Sequence, residues 1–534
     1  MPEQESARVN PVFINHLNRP TPAQAILDGE WAIAFDPGNR GRAEGWHTLA
    51  HPPTDAVSVG VPSCWEEINP GYDGAAWYWT TFDVAVSRRE RVFLAFDAAN
   101  YYTEAWVDGQ RVGASEGGYT PFSFDITAAC KRRREHALVV RVLCPPKDEL
   151  GIDRFVLKEL PCWRSYESFN FGGIWQSVRL LRLPEVHVTD CFVRPNGALD
   201  GVEVELDLPN DVAARGIAVE LEIREKEDLG AVAGEVVRSF PHMGALRGET
   251  IPVRIENPKR WSPEEPCLYV LHASVESDGH RDEGKVVFGL RSFTFKDDSF
   301  LLNGRPCFVK GGFHEGLYPV GLPRPPSREF VVDELRKAKA TGFNLLRYWQ
   351  IPIHPTVLDV ADELGVMLMA EPPIEWMTQT DQTVRRCRNE VERLVRRDRN
   401  RASVVIWTIL NETGIQPDFN RRNAVSASRL EWEEAPVQQV RDELCQLARS
   451  LDPTRLIIDD SGGFMGHANI YVPGELRKRP FNDLHTYQRV PITEQRLHEM
   501  RQFGSHPRRV SLADVQPRIG ALVSEFGYGS FPDF

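Results

Sequence analysis

The chain has no apolar run long enough to cross a bilayer, and its opening residues, Met1-Pro-Glu-Gln-Glu-Ser-Ala-Arg8, lack the hydrophobic stretch of a secretory leader. The expectation is a cytoplasmic protein. Cysteine is sparse and unpatterned: nine residues, an odd number, with no CxxC spacing. This argues against a disulfide framework and against a zinc site. Cys64, Cys191 and Cys307 lie in apolar or strand-like segments and read as small buried hydrophobes. Excess positive charge is missing as well. Against 76 Asp and Glu stand 63 Lys and Arg, a net charge of −13, which speaks against a nucleic-acid or anionic-membrane partner. The one dense basic stretch, Lys131-Arg-Arg-Arg-Glu135, reads as a solvated loop between strands. Internal repeats and low-complexity segments are also absent.

What is present is a succession of three patterns over 534 residues, which predicts three domains. Residues 1–183 form the first. From about residue 25 they are dense in short alternating strands, aromatics and Gly/Pro/Asp turns, with almost no helical period. Ala105-Trp-Val-Asp-Gly-Gln-Arg-Val112 reads as a hairpin around an Asp-Gly turn. A β-sandwich of jelly-roll type follows. Residues 184–296 continue the alternation, as in Gly201-Val-Glu-Val-Glu-Leu-Asp-Leu208, and their length suits an immunoglobulin-like sandwich. From 297 to 534 apolar strands alternate with amphipathic helices, the mark of parallel βα units in an α/β barrel of TIM type. Strands are predicted at 307–312, 343–348, 365–370, 403–410, 455–459, 480–485 and 520–525, and helices at 329–341, 354–364, 384–398 and 434–451. Seven strands are one short of a closed eightfold barrel. The expectation is a barrel incomplete after its seventh strand, with exposed edges that favour a homo-oligomer.

Two of these strands end in glutamate. Ala402-Ser-Val-Val-Ile-Trp-Thr-Ile-Leu-Asn-Glu412 and Ile519-Gly-Ala-Leu-Val-Ser-Glu525 are unbroken apolar runs that each finish on a carboxylate. Such runs read as parallel strands buried on both faces. Their C-terminal ends are where α/β barrels keep catalytic groups. Two carboxylates on different strands make the pair that glycoside hydrolysis needs.

Further motifs run in order along nearly the whole chain, from Leu27-Asp-Gly-Glu-Trp31 to Ser524-Glu-Phe-Gly527, and by their resemblance the chain is identified as a member of glycoside hydrolase family 2. Leu27-Asp-Gly-Glu-Trp31, Val61-Pro-Ser-Cys-Trp65, Gly71-Tyr-Asp-Gly-Ala-Ala-Trp-Tyr78 and Gly172-Gly-Ile-Trp-Gln-Ser-Val-Arg-Leu180 resemble the family's sugar-binding-like domain. Trp261-Ser-Pro-Glu-Glu-Pro-Cys-Leu-Tyr269 and Phe288-Gly-Leu-Arg-Ser-Phe293 resemble its sandwich signature. Lys310-Gly-Gly-Phe-His-Glu315, Asn344-Leu-Leu-Arg347, Asp362-Glu-Leu-Gly365, Asn411-Glu412 and Ser524-Glu-Phe-Gly527 resemble its barrel. The resemblance implies a retaining exo-β-glycosidase with Glu412 as acid/base and Glu525 as nucleophile, their carboxyl groups about 5–5.5 Å apart. It further implies that Arg347 holds the nucleophile and that Asn411 meets the sugar 2-hydroxyl. His314 would contact sugar hydroxyls, and Tyr487 would bond the nucleophile. Glu371 would reach the sugar or the acid/base, His485 and Asp483 would surround the sixth strand's end, and Trp349 and Trp376 would stack on sugar faces. Trp407, inside an apolar run, reads as core.

The departures bear on substrate and cofactor. Tyr348-Trp-Gln-Ile-Pro-Ile-His-Pro355 replaces the Ser-His-Tyr-Pro of many members. Pro373 stands where metal-dependent galactosidases carry a histidine, so no metal and no other cofactor is expected. A carbohydrate is the expected partner, a galactoside or glucuronide first. The tail after Ser524 leans toward mannosidases, while Asn411-Glu412 lacks their extra asparagine. The alternative is a non-catalytic carbohydrate-binding member with an incomplete barrel.

Overall fold

The computed structural model describes residues 17–20, 23–49, 51–146, 151–153, 155–162, 170–212, 215–227, 229–374, 377–412, 415–416, 436–462, 467–486, 494 and 521–526. They fall into two compact units. The first comprises residues up to 157, 164–258 and 269–288, and the second comprises 158–163, 259–268 and everything from 289 on.

The first unit is built of β-sheet. A six-stranded sheet, in the order Val57–Val61, Gly29–Asp36, Gly74–Asp83, Glu135–Cys144, Tyr102–Val107 and Gln110–Glu116, is accompanied by a four-stranded one. Alternation along these strands buries Ile33, Tyr78, Leu94, Phe96, Phe124 and Val140 in one apolar core. The hairpin expected at 105–112 is present. Asp108 and Gly109, both at positive φ, close Tyr102–Val107 onto Gln110–Glu116, the backbone that an Asp-Gly turn supplies. Residues 131–135 are exposed, as a solvated basic stretch should be. Two further sheets of three and four strands follow in this unit, the larger ordered Val232–His242, Arg215–Glu225, Tyr269–Ser277 and His280–Phe288. All nine cysteines are free thiols. No helix among the described residues is long and apolar enough to cross a membrane.

The second unit carries the site. Its sheet has eight strands in sequence order: β1 (Gly311–His314), β2 (Leu345–Tyr348), β3 (Met367–Ala370), β4 (Val404–Asn411), β5 (Leu456–Ser461), β6 (His467–Tyr471), β7 (Arg479–Thr486) and β8 (Ala521–Phe526). Helices α1 (Arg328–Ala340), α2 (Pro355–Leu364), α3 (Asp381–Asp398) and α4 (Pro436–Leu451) alternate with the early strands. Their ends follow local chemistry. The hydroxyl of Ser327 caps α1 by accepting from Phe330 N, and that of Thr380 caps α3 by accepting from Thr383 N. The second helix begins with Pro355 at its first position and stops at Gly365, whose φ of 69° is left-handed. A Cβ at Gly365 would stand 2.7 Å from the Pro263 carbonyl oxygen, so glycine is required there twice over.

Leu346, Tyr348, Leu368 and Ala370 of the strands pack outward against Val331, Leu335, Val357, Leu358 and Ala361 of α1 and α2. The alternate residues therefore point to the barrel axis. Seven strands are parallel, as the sequence predicts, but β6 is not. It pairs antiparallel with both β5 and β7, so the chain turns back where a βα unit would place a crossover helix. The expected one-strand gap between β1 and β8 is also not found at full width. Cα atoms of the two strands approach within 8 Å, less than the roughly 9.6 Å that an intervening strand requires. The antiparallel strand occupies one of the eight places in the sheet.

Candidate active site

The parallel register brings the C-terminal ends of the strands to one mouth. Phe313 pairs with Arg347, Asn411 with Ser461, and His485 with Glu525. Arg347 is the hub. Its side chain is 2% exposed. Nε donates to Glu371 Oε1 at 2.6 Å, Nη1 to Glu525 Oε1 at 2.8 Å, and Nη2 to Asn411 Oδ1 at 2.7 Å. The ring of Phe313 lies 5.8 Å from the guanidinium carbon. Burial alone would lower the pKa of this arginine, but Glu371 and Glu525 beside it hold it above its ordinary value. It stays charged. Glu371 completes its coordination by accepting Gln350 N at 3.0 Å. Burial pushes the Glu371 carboxyl above the usual carboxylate range, against the pull of Arg347.

Glu412 follows β4 with a left-handed backbone, φ 48°, and its N–H donates to the Ser461 carbonyl at 2.8 Å. This turn carries its carboxylate toward His485, whose Nδ1 lies 2.8 Å from Glu412 Oε1. On the other side, His485 Nε2 lies 3.2 Å from Arg347 Nη1 and 3.4 Å from Glu525 Oε1. Because Arg347 can only donate, Nε2 is the acceptor and the imidazole proton sits on Nδ1, facing Glu412. Ser461 Oγ reaches both His485 Nε2, at 3.2 Å, and Ser524 Oγ, at 3.0 Å. Ser524 in turn donates to Asp483, a buried carboxyl that burial pushes up.

Oxygens of Glu412 and Glu525 and a ring nitrogen of His485 all lie within 4.8 Å of one another. A histidine and two carboxylates are a donor set that could hold a cation. Here the Arg347 guanidinium already supplies the positive charge against Glu525.

The structure therefore assembles Arg347, Glu371, Asn411, Glu412, His485 and Glu525 in one place. His314 is elsewhere. On β1 it alternates with Phe313 and faces outward, where its ring stacks on Tyr348 at 4.6 Å. Its Nδ1 accepts Gly316 N at 2.7 Å and its Nε2 meets Glu334 of α1 at 3.0 Å. Both nitrogens are thus engaged away from the mouth, contrary to the expected sugar contact. Trp349 is 3% exposed and packs against Phe313 with ring centroids 6.0 Å apart. Trp407 is core, and its Nε1 donates to Asp452 at 2.9 Å. Tyr487 and Trp376 lie outside the described residues.

Sequence reasoning passed over Ser461 and Gln350. Ser461 ends the buried run Leu456–Ser461 just as Glu412 follows its own, so the same rule would have found it. Gln350 is 1% exposed with a φ of 49°. Neither of its side-chain amide atoms has a hydrogen-bond partner among the described residues, and no sequence signal announces it.

Comparison with known proteins bears on the family and the fold. Models of the glycosyl hydrolases family 2 match in three blocks: the sugar-binding domain over 66–184, a further family 2 domain over 186–291 and the TIM barrel domain over 293–473. A β-glucuronidase of Paenibacillus borealis is 25% identical over 473 residues, spanning 80% of this chain and 75% of the relative. A putative β-glucuronidase of Formosa agariphila is 26% identical over 420 residues, 74% of this chain and 47% of that protein. Among solved structures, a β-glucuronidase from Ruminococcus gnavus in complex with D-glucuronic acid superposes with a TM-score of 0.68. Its identity is 21%, and the match covers 83% of this chain and 74% of the other. The β-glucuronidase of Parabacteroides merdae gives 0.66 at 22% identity, over 81% and 55%. These two likenesses speak for the fold. With a sugar-binding domain, an immunoglobulin-like domain and a TIM barrel in the family's order, the chain belongs to glycoside hydrolase family 2 and is a glycosidase.

Proposed function

We propose that the chain is a retaining exo-β-glycosidase that removes terminal β-glucuronic acid, with Glu525 as nucleophile and Glu412 as acid/base. One observation carries the mechanism: oxygens of the two carboxylates lie within 4.8 Å of each other. Retaining pairs sit about 5–5.5 Å apart, whereas inverting pairs need roughly 6.5–9.5 Å to admit a water.

The division of roles follows from the surroundings. Glu525 is buried and accepts Arg347 at 2.8 Å, which favours the carboxylate a nucleophile needs. Glu412 is the more open of the two, its side chain 33% exposed, as suits a group that meets the leaving oxygen and then water. In the first step a Glu525 oxygen attacks the anomeric carbon. The bond to the leaving oxygen breaks, and Glu412 gives that oxygen its proton. In the second step Glu412 takes a proton from water, the water oxygen attacks the same carbon, and the bond to Glu525 breaks. The His485 Nδ1 proton is held beside Glu412 throughout. Asn411 has its carbonyl oxygen committed to Arg347, which leaves its NH2 as the end that donates to a sugar hydroxyl. The glucuronide itself rests on the names of the relatives.

The test is hydrolysis of nitrophenyl β-glucuronide, galactoside, mannoside and glucoside, with the first-formed anomer read by NMR. The β-anomer of glucuronic acid is the expected first product. An α-anomer would refute retention, and turnover of another glycoside alone would refute the glucuronide.

A further inference from the structure

One carboxylate at the mouth has no part in the set described so far. Glu315 is the first residue past β1, two places beyond Phe313, so strand alternation puts it on the same inward face. Phe313 lies over Arg347 on that face. Glu315 is half-buried, and its Oε2 is shielded from solvent with no hydrogen-bond partner among the described residues. Burial pushes its pKa up, His314 opposes the rise, and the charge of Glu525 beside it adds to it. His314, the neighbour in sequence, has no ring nitrogen left to donate to it, since Nδ1 accepts the Gly316 N–H and Nε2 is engaged by Glu334.

A shielded acceptor that faces a nucleophile and lacks a donor is costly to keep unless something supplies the donor. The neighbouring carboxylates cannot do so. A ligand carboxylate would add repulsion to a site that already holds Glu371, Glu412 and Glu525. Neutral O–H groups fit, and the two oxygens of a carboxylate match two adjacent hydroxyls. We propose that Glu315 is a specificity-determining residue that accepts hydrogen bonds from a vicinal diol of the terminal sugar, on the side away from any acid group the sugar carries. This rests on the proposed function, because a sugar with its anomeric carbon at Glu525 is what brings ring hydroxyls to Glu315.

The test uses the full chain with E315A and E315Q, each shown to melt as the wild type does. Kinetics are measured on the best-hydrolysed nitrophenyl β-glycoside and on its 2-, 3- and 4-deoxy analogues. E315A should lower kcat/KM on the parent by about 10- to 100-fold, the range for a hydrogen bond to a charged group. E315Q, which keeps one acceptor, should fall between and lose mainly in KM. On the deoxy analogue that lacks a contacted hydroxyl, E315A should cost no more than about 2-fold further, because the partner is already gone. The proposal is overturned if E315A stays within about 2-fold of wild type on the parent. It is equally overturned if the loss is the same on the parent and on all three deoxy analogues, as a merely structural role would give. Should the wild type hydrolyse none of the glycosides, the proposed function fails, and Glu315 is then read by calorimetry with free glucuronic acid, galactose and mannose. Weaker binding by E315A supports the assignment, and equal or absent binding overturns it.

Discussion

Replacing Arg347 by methionine keeps most of the volume and removes the charge that joins three side chains. The magnitude follows from the geometry. The guanidinium makes three short bonds of 2.6–2.8 Å, two of them to carboxylates, with its side chain 2% exposed. Taken singly such bonds contribute about 1.5–3 kcal/mol each, but they share one group and do not add. Deleting one partner of a buried ion pair costs about 3–5 kcal/mol, and that is the expected loss of stability in R347M. The loss should depend on pH, with a definite sign. The Glu371 carboxyl already titrates above its ordinary value because of burial, and loss of Arg347 drives it higher. Between the ordinary value and the raised one, the folded barrel holds a proton that the unfolded chain has released. Stability therefore falls as pH rises across that window. Denaturant melts of R347M from acid to neutral pH should show the slope, and adding E371Q should flatten it. Stability of R347M within about 0.5 kcal/mol of wild type would refute the hub, and a slope unaffected by E371Q would refute the cause.

E525Q should abolish turnover of every β-glycoside, and azide should restore product formation in E525G; a fully active E525Q takes the residue out of the chemistry. E412Q should slow substrates with poor leaving groups far more than activated aryl glycosides, and equal losses on both would deny it the acid's role. In the sugar-binding domain, burial pushes Glu66 to about 8 from an ordinary 4.5. The folded form thus holds a proton that the unfolded chain gives up, and stability should decline as pH climbs from about 4.5 to 8. E66Q, which can still accept the Gly172 N–H at Oε1, should remove that decline in melts followed by calorimetry.

Much of the barrel was legible because its strands are buried on both faces and so advertise themselves as apolar runs. Val404–Asn411 and Ala521–Phe526 fall within a residue of their predicted bounds, and so does α1. The short strand His467–Tyr471 was missed. It pairs on both sides, yet its five residues carry no run distinct from a loop, and its direction depends on partners distant in sequence. The two glutamates were found by position, at the ends of apolar runs. His314 misled because a histidine at a strand end looks the same whichever face it takes. Only the register with Tyr348 settles that it points outward. Gln350 and Glu315 were invisible for another reason: what marks them is a missing partner, and a sequence does not show which atoms go unsatisfied.

The left-handed turn at Glu412 has a consequence for how the enzyme can change. An L-residue with a side chain pays about 1–2 kcal/mol to stand in that conformation, and glycine does not. The fold thus holds a strained residue at the position we propose for the acid, and another at Gln350. Of two variants equally unable to protonate a leaving group, E412G should be more stable than E412A, by about 1 kcal/mol. If Glu412 is the acid, as proposed, selection for robustness alone would pull position 412 toward glycine and inactivity, and only selection for the chemistry would keep a glutamate there.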